Sequence, residues 1–531
     1  MPSNKKKYLI TPPVYISIEL EKENWKLLDK VSEYRWVLDN IVVELHPTDN
    51  GYVTSLSSEL PVSRLQLSWY NNLPKDGLIL GDTFERSYGD LAFSPQRSDS
   101  FYSWYFIASS QEEHSCFGVA TQPNSLVSWT INSQTIDLWL DVRNGSDPLS
   151  LGSRVLDVAT VIIKKYSQTT SFDAAKLFCA DLAKSQKISD EKIIGMNDWY
   201  YAYGDNDKEL ILDNANFLSR LLKEKSYRPW VIIDDGWQVD HSESYNGGPW
   251  HAANEKFGDM SILVNQINQL NVRCGIWFRP LLTNTHPVTE ELLRESADGL
   301  ILDPSHPNVL QKIRGDLQRF KDWGIELVKH DFSTIDIFGC WGNQMTINYF
   351  TEDLHFFDKS KTTAEIINEF YRTIKEASTD MKIIGCNTIS HLAAGVVDIQ
   401  RIGDDTSGKD FSRTRKYGVN TLAFRSPQHQ QFYQVDADCI GITKHIPWDI
   451  NKNWLALLAI SNTPLLISCN PNELSDEIID DIKKAIYFSL ENTNNAEPLN
   501  WLYENYPSTW QVGSLSHKFH WYNEPRKFDV L

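Results

Sequence analysis

The sequence predicts an α/β protein: a (β/α)8 TIM barrel, preceded by a β-sandwich and followed by a short β-domain. Three observations predict it. Residues 1 to about 185 alternate short β-type runs with turn residues. Beyond about residue 189 the texture changes to strands alternating with helix-length segments, the signature of a parallel sheet with crossover helices. Eight strand segments fall in that second part, the number that closes a barrel of this type.

In chain order, the first part carries RWVLDNIVVEL (35–45), RLQLSWY (64–70), FYSWYFIAS (101–109), SLVSWTI (125–131) and TIDLWLDV (135–142), a spacing that suggests a sandwich. An amphipathic helix is expected over SFDAAKLFCADLAK (171–184). The barrel strands are expected at 193–199, 229–237, 272–278, 325–332, 382–388, 398–405, 436–443 and 464–470. Helical stretches such as 261–270 and 309–324 lie between them, each long enough for a right-handed crossover. The expected boundaries are 1–188 for the sandwich and its linker helix, 189–490 for the barrel, and 491–531 for a C-terminal β-domain, either small or cut short, announced by STWQVG (508–513) and HKFHWY (517–522).

Composition narrows the partners. With 51 Lys+Arg against 70 Asp+Glu the formal charge is −19, which disfavours nucleic acid and anionic membrane surfaces and suits a neutral small molecule. The 18 Trp, 22 Tyr and 23 Phe supply flat apolar faces that fit a pyranose as well as a β-rich core. Seven cysteines without CxxC pairs read as reduced thiols. Lys5, Lys6 and Lys7 precede an apolar run that Pro12 and Pro13 interrupt before a signal-peptide core is complete, and no segment is long enough to span a membrane, so the expected location is cytoplasmic.

Polar residues gather where the expected strands end, so in a barrel they share one mouth. The strand PWVIIDDGW delivers Asp234 and Asp235 together; a regular strand would send them to opposite faces, and Gly236 permits the break that lets both reach one ligand. Such a pair grips vicinal hydroxyls, or alternatively a divalent cation, although no HExxH or EF-hand pattern accompanies it. In VKHDF, alternation places Lys329 and Asp331 on one face and His330 on the other, and a neighbouring ammonium favours an anionic, nucleophilic Asp331. The bland alternative is an ion pair at a strand end. In QRIGDDTS, Arg401 and Asp405 share a face, with Gly403 between them leaving space for something bulky. If Asp405 faces Asp331, like-charge repulsion and partial burial are expected to raise one of the two pKa values, giving an anion and an acid. Taken alone, Arg401 and Asp405 read as a loop salt bridge. Trp199 and Trp277 end strands and would floor a pocket or pack its rim; Cys386 reads as a small buried hydrophobe. GDTFERSYGD (81–90) is either a loop touching the barrel mouth or a solvated turn.

Taken in order, GMNDWYYAYG, IIDDGWQ, GIWFRP, LDPSHP, VKHDF, GCN and RIGDDTS resemble the motifs of the retaining α-galactosidase clan, most closely glycoside hydrolase family 36, the melibiase and raffinose-synthase group. The resemblance implies an N-terminal β-supersandwich, a catalytic barrel, a C-terminal β-domain, a small-molecule saccharide substrate and no metal or organic cofactor. It makes Asp331 the nucleophile and Asp405 the acid/base. It gives Asp234 and Asp235 the 4- and 6-hydroxyls of galactose, Lys329 and Arg401 further hydroxyls, and Trp199, Trp277 and Cys386 the sugar's surface. Two positions depart from the pattern: His330 stands where an aromatic residue is common, and Arg279 where many relatives have glutamate. Three alternatives stay open: transfer of the galactosyl group to another sugar, preference for α-N-acetylgalactosamine, and a non-catalytic saccharide-binding protein. Assembly into a homo-oligomer is also open.

Overall fold

The computed structural model describes residues 11–522 except 90, 98–99, 112, 185–187 and 351–352. Lys5–Lys7, the last residue of the 81–90 loop and the chain beyond 522 therefore lie outside the described residues.

The N-terminal part holds two antiparallel sheets, one of six strands and one of nine. They face each other through aromatic residues: Trp129 of the smaller sheet meets Phe106 and Phe117 of the larger at ring-centroid distances of 5.7 and 5.9 Å. Arg64–Tyr70 forms a strand over the whole expected run. Two expected strands are each two elements. RWVLDNIVVEL is a hairpin, Arg35–Leu38 pairing with Ile41–Pro47 around Asp39, whose φ of +49° an Asp-Asn turn tolerates. FYSWYFIAS divides at Ser103–Trp104, so that Ser100–Tyr102 joins the smaller sheet and Tyr105–Ser109 the larger. A helix Ser171–Leu182 follows, its N-terminus capped by Thr170, whose hydroxyl accepts from the Asp173 N–H at 3.0 Å.

The second part is built on one parallel sheet whose strands we number β1 (Ile194–Asn197), β2 (Trp230–Ile233), β3 (Arg273–Phe278), β4 (Leu327–His330), β5 (Lys382–Gly385), β6 (Ile399–Arg401), β7 (Gln434–Asp436), β8 (Ile440–Ile442) and β9 (Leu465–Cys469). Their spatial order is β7-β6-β5-β4-β3-β2-β1-β9-β8. Most are buried along their whole length, as strands covered on both faces must be, and the crossovers carry helices such as Lys208–Leu221, Met260–Gln269, Pro307–Asp322 and Thr363–Ala377. The expected strand at 436–443 is corrected to β7 and β8, which pair with opposite ends of the sheet and are separated by Ala437–Cys439. Asp438 makes the break: its backbone sits at φ +78°, and its buried carboxylate takes Arg401 and the backbone N–H of Thr406.

Three short antiparallel strands, Ala496–Pro498, Thr509–Val512 and Leu515–Lys518, end the described chain. Trp501 fastens this segment to both larger parts, its ring meeting Phe93 (4.9 Å), Phe172 (5.2 Å) and Phe424 (6.1 Å). All seven cysteines are buried and unpaired. Among the described residues no helix is long and apolar enough to cross a membrane.

Candidate active site

The carboxyl ends of β1, β2, β3, β4, β5 and β6 bring the predicted side chains into one neighbourhood. At β2, Asp234 is the hub of a buried network: its Oδ2 accepts from the Lys329 ammonium and from the Asn197 amide, each at 2.6 Å, while its Oδ1 accepts the backbone N–H of Asp235 at 2.9 Å. Asp235 turns instead toward an open cavity of about 1070 Å3, which it lines with Trp199, Tyr203, Arg279 and Phe332. The turn that separates the two acids runs through Gly236 at φ +121°, where a Cβ would lie 2.3 Å from Asn206 Oδ1 and 2.6 Å from the Gly204 carbonyl. Burial pushes the Asp235 carboxyl up to about 7, against a 2.7 Å hydrogen bond from Gln238 and with help from the charge of Asp234. Asp198, at the end of β1, is likewise raised to about 7 by burial and by Asp234.

Asp331 directly follows β4 and is 8% exposed. The Trp277 indole N–H donates to its Oδ2 at 3.0 Å and the Phe332 backbone N–H to its Oδ1 at 2.9 Å. Phe332 adopts φ +65° and lines the cavity that Asp235 faces. His330 points the other way, as alternation requires: it bonds the Ser333 hydroxyl at 2.6 Å and packs against the rings of Phe370 and Tyr371. Lys329 donates to Asp234, and its attraction to Asp331 acts through space. Although burial opposes its charge, Asp234 holds the lysine well above its usual range.

Asp405 lies just past β6, its side chain 38% exposed. Arg401 reaches it at 3.4 Å but is engaged more closely by Asp438 (2.7 Å) and Asp436 (3.1 Å), so most of its donors are taken. The second cation on Asp405 comes from the N-terminal part: Arg86 meets it at 3.3 Å and Asp404 at 2.8 Å. Burial works to raise the Asp405 carboxyl, yet Arg86 and Arg401, with Lys329 and Arg413, outweigh it and hold it below the usual carboxylate range. Asp405 is therefore not the acid that repulsion and burial were expected to raise, because the surrounding cations outweigh its burial. Lys329 is within electrostatic reach of both Asp331 and Asp405. Cys386, in the same buried cluster, is raised well above its ordinary value by burial and then by Asp331, so the thiol is neutral there.

The loop 81–90 does touch the mouth. Its Ser87 N–H donates to the Ile402 carbonyl at 2.7 Å and its carbonyl accepts from the Asp404 N–H at 2.8 Å, extending the end of β6. On its other side Gly403 lets the helical segment at Tyr417 and Thr421 pack against this strand end, since a Cβ there would lie 2.1 Å from the Tyr417 carbonyl, the close neighbour the spacing predicted. Below, the buried pair Arg425–Asp82 (3.0 Å) anchors the loop to the helix Thr421–Arg425, and Trp104 donates to the same aspartate at 2.7 Å. Arg86 also lies over the Trp341 ring, which contacts Phe332, so one cationic and aromatic rim runs from Asp405 toward Asp331. The individual residues Arg86, Trp341 and Asp436 were not picked out as site residues; only the density of charge and aromatics in 81–90 signalled the first. Among the described residues, no cluster of three or more His, Cys, Asp or Glu side chains is arranged to hold a metal ion.

No family model matches this chain and no curated protein matches it. Solved structures do. An α-galactosidase from Thermus thermophilus, in complex with p-nitrophenyl α-D-galactopyranoside, aligns with TM-score 0.59 at 14% identity over 90% of this chain and 96% of its own. The family 36 α-galactosidase AgaA of Geobacillus stearothermophilus aligns with TM-score 0.60 at 13% identity over 89% of this chain and 71% of its own. The α-galactosidase of Lactobacillus brevis gives TM-score 0.59 at 11% identity over 96% and 73%. At such low identity the likeness is one of architecture, and it extends over nearly the whole chain: the protein has the fold of the family 36 α-galactosidases.

Proposed function

We propose that this protein is a retaining α-galactosidase that releases terminal α-linked galactose from a small saccharide. Asp331 attacks the anomeric carbon as the bond to the glycosidic oxygen breaks, and Asp405 delivers the proton that oxygen needs. The galactosyl ester on Asp331 is then hydrolysed by a water whose proton returns to Asp405. The observation that carries this reading is the placing of Asp331 and Asp405 at the ends of β4 and β6, with only β5 between them, each held by its own donors and both within reach of Lys329. A retaining pair stands about 5 to 5.5 Å apart, so the two carboxyl groups must approach to that separation around the bound sugar.

Asp234 and Asp235 take sugar hydroxyls in this reading, Asp235 from the open cavity and Asp234 in concert with Lys329; Trp199 contributes a cavity wall. Galactosides are the proposed substrates because solved structures of the same fold hold stachyose, raffinose and an aryl α-galactoside. The nine parallel strands form, on this proposal, one (β/α)8 barrel over 189–490 in which β7 and β8 count as a single interrupted strand, flanked by a β-sandwich over 1–188 and a β-domain from 491. Supporting this, β7 and β8 follow each other in the chain yet pair with opposite ends of the sheet.

A panel of nitrophenyl α- and β-glycosides tests the function: rapid release from the α-galactoside and little from the α-glucoside or β-galactoside is expected. Binding of galactose without cleavage of any member would make the protein a saccharide-binding one instead. Adding an acceptor saccharide and analysing products separates hydrolysis from transfer.

A further inference from the structure

Glu85 is fully buried in the loop that the N-terminal part extends to the mouth, and nothing in the reaction above uses it. Its carboxylate collects donors from the second part of the fold. Oε1 accepts from the Asn387 amide and Oε2 from the Gly342 backbone N–H, each at 2.6 Å, while the Tyr88 hydroxyl of its own loop adds a looser bond at 3.3 Å. The Glu85 carbonyl is held too, by the Ser390 hydroxyl (2.9 Å) and the Arg425 guanidinium (3.1 Å). Gly342 permits the approach, since a Cβ there would lie 2.5 Å from the Glu85 Cβ. Burial raises the Glu85 carboxyl, and Arg86 at 3.9 Å, followed by these donors, opposes it.

Both arms end beside the proposed catalytic acids. Asn387, just past β5, gives its NH2 to Glu85 and turns its oxygen to the Phe332 N–H at 3.3 Å, the same N–H that donates to Asp331 at 2.9 Å. Its carbonyl accepts from the Thr334 N–H (3.0 Å) and hydroxyl (2.9 Å), which ties the same turn again. An amide shows one neighbour its NH2 and the other its oxygen, so an acceptor at Glu85 is what leaves the oxygen for Phe332. Flipped, Asn387 would set its NH2 against that N–H. The second arm, through Gly342, holds the loop of Trp341, whose ring lies between Phe332 and Arg86. Arg86, next in the chain, pairs with Asp405. We propose that Glu85 is a positioning residue: it fixes the turn that follows Asp331 through Asn387, from the loop whose next residue holds Asp405, so that one point in the N-terminal part sets the two acids relative to each other. This rests on the galactosidase reading of the site.

Two readouts keep the relay apart from that reading. First, kcat and KM on an aryl α-galactoside are measured for wild type, Glu85→Met, Glu85→Gln, Asn387→Leu and the double variant combining Glu85→Met with Asn387→Leu. Glu85→Met and Asn387→Leu should each lower kcat about 10- to 100-fold with KM little changed, the scale of a reacting group misplaced by up to about 1 Å. Glu85→Gln, which keeps one acceptor, should recover part of the loss. Because both residues lie on one chain of bonds, the double variant should lose less than the product of the single losses. Losses that multiply, or a rise in KM at unchanged kcat, overturn the proposal. Second, backbone hydrogen exchange is followed by mass spectrometry. Glu85→Met should speed exchange at 331–334 and 342–345, and Asn387→Leu at 331–334 alone, with β2 and β3 unchanged in both. Unaltered exchange at 331–334 in both variants overturns the relay even if wild type cleaves no galactoside, a result that would refute only the functional reading.

Discussion

Replacing Arg86 by methionine isolates the electrostatic control of Asp405. The guanidinium lies 3.3 Å from the carboxylate, a separation at which two unit charges interact by about 1.3 kcal/mol in water and about 5 kcal/mol at an effective dielectric constant of 20. The Asp405 side chain is 38% exposed, so solvent screening pulls the value toward the lower end, and Arg401 remains in place after the substitution. At 1.36 kcal/mol per pKa unit the carboxyl should rise by roughly one to two units. The sign follows from its role: Asp405 must be protonated for the leaving group to depart, so the basic limb of the kcat/KM profile reports its pKa. In the free wild-type enzyme that limb should fall on the acid side of neutrality, because Arg86 and Arg401 hold the carboxyl low. In Arg86→Met it should move to higher pH by about one to two units, and in Arg86→Lys it should move less. The assay is kcat/KM against pH on an activated and a natural galactoside; only the natural one needs the proton fully. A basic limb that stays in place, or moves to lower pH, refutes the assignment of Asp405 and the part played by Arg86.

Further substitutions test the remaining elements. Asp331→Asn should cut kcat by roughly three orders of magnitude or more while far-UV circular dichroism and the thermal transition stay unchanged; near-normal turnover removes it as nucleophile. Asp405→Asn should lose about 10²- to 10⁴-fold on a natural galactoside but much less on an aryl substrate with a good leaving group, and an equal loss on both contradicts acid catalysis. Asp82→Ala leaves the buried Arg425 without its countercharge, so urea unfolding should show a loss of about 3 to 5 kcal/mol; an unchanged transition argues against the pair as an anchor. Gly403→Ala places a methyl group 2.1 Å from a backbone carbonyl that no rotamer change can move, so the loop docking at 87 and 404 should fail; wild-type activity in that variant argues against the loop's role.

Much of this arrangement was legible in the sequence because it follows from periodicity. Alternation in VKHDF puts Asp331 and His330 on opposite sides, and the glycines at 236 and 403 mark a strained turn and a close approach that their surroundings demand. What escaped was set by partners distant in the chain. The hairpin at Asp39–Asn40 hid inside a continuous β-type run whose only signal was two turn-forming residues. The break between β7 and β8 exists because Asp438 buries its carboxylate against Arg401, a tertiary demand that no local pattern encodes. Lys329 choosing Asp234 over Asp331, and Arg86 reaching Asp405 from another part of the fold, depend on the spacing of neighbouring strands.

The central claim is double displacement through a glycosyl ester on Asp331, and product stereochemistry tests it most directly. Proton NMR during the first minutes of hydrolysis of an aryl α-galactoside should show α-galactose appearing first, with the β-anomer growing only as mutarotation proceeds. Initial release of β-galactose would establish single displacement and contradict the account.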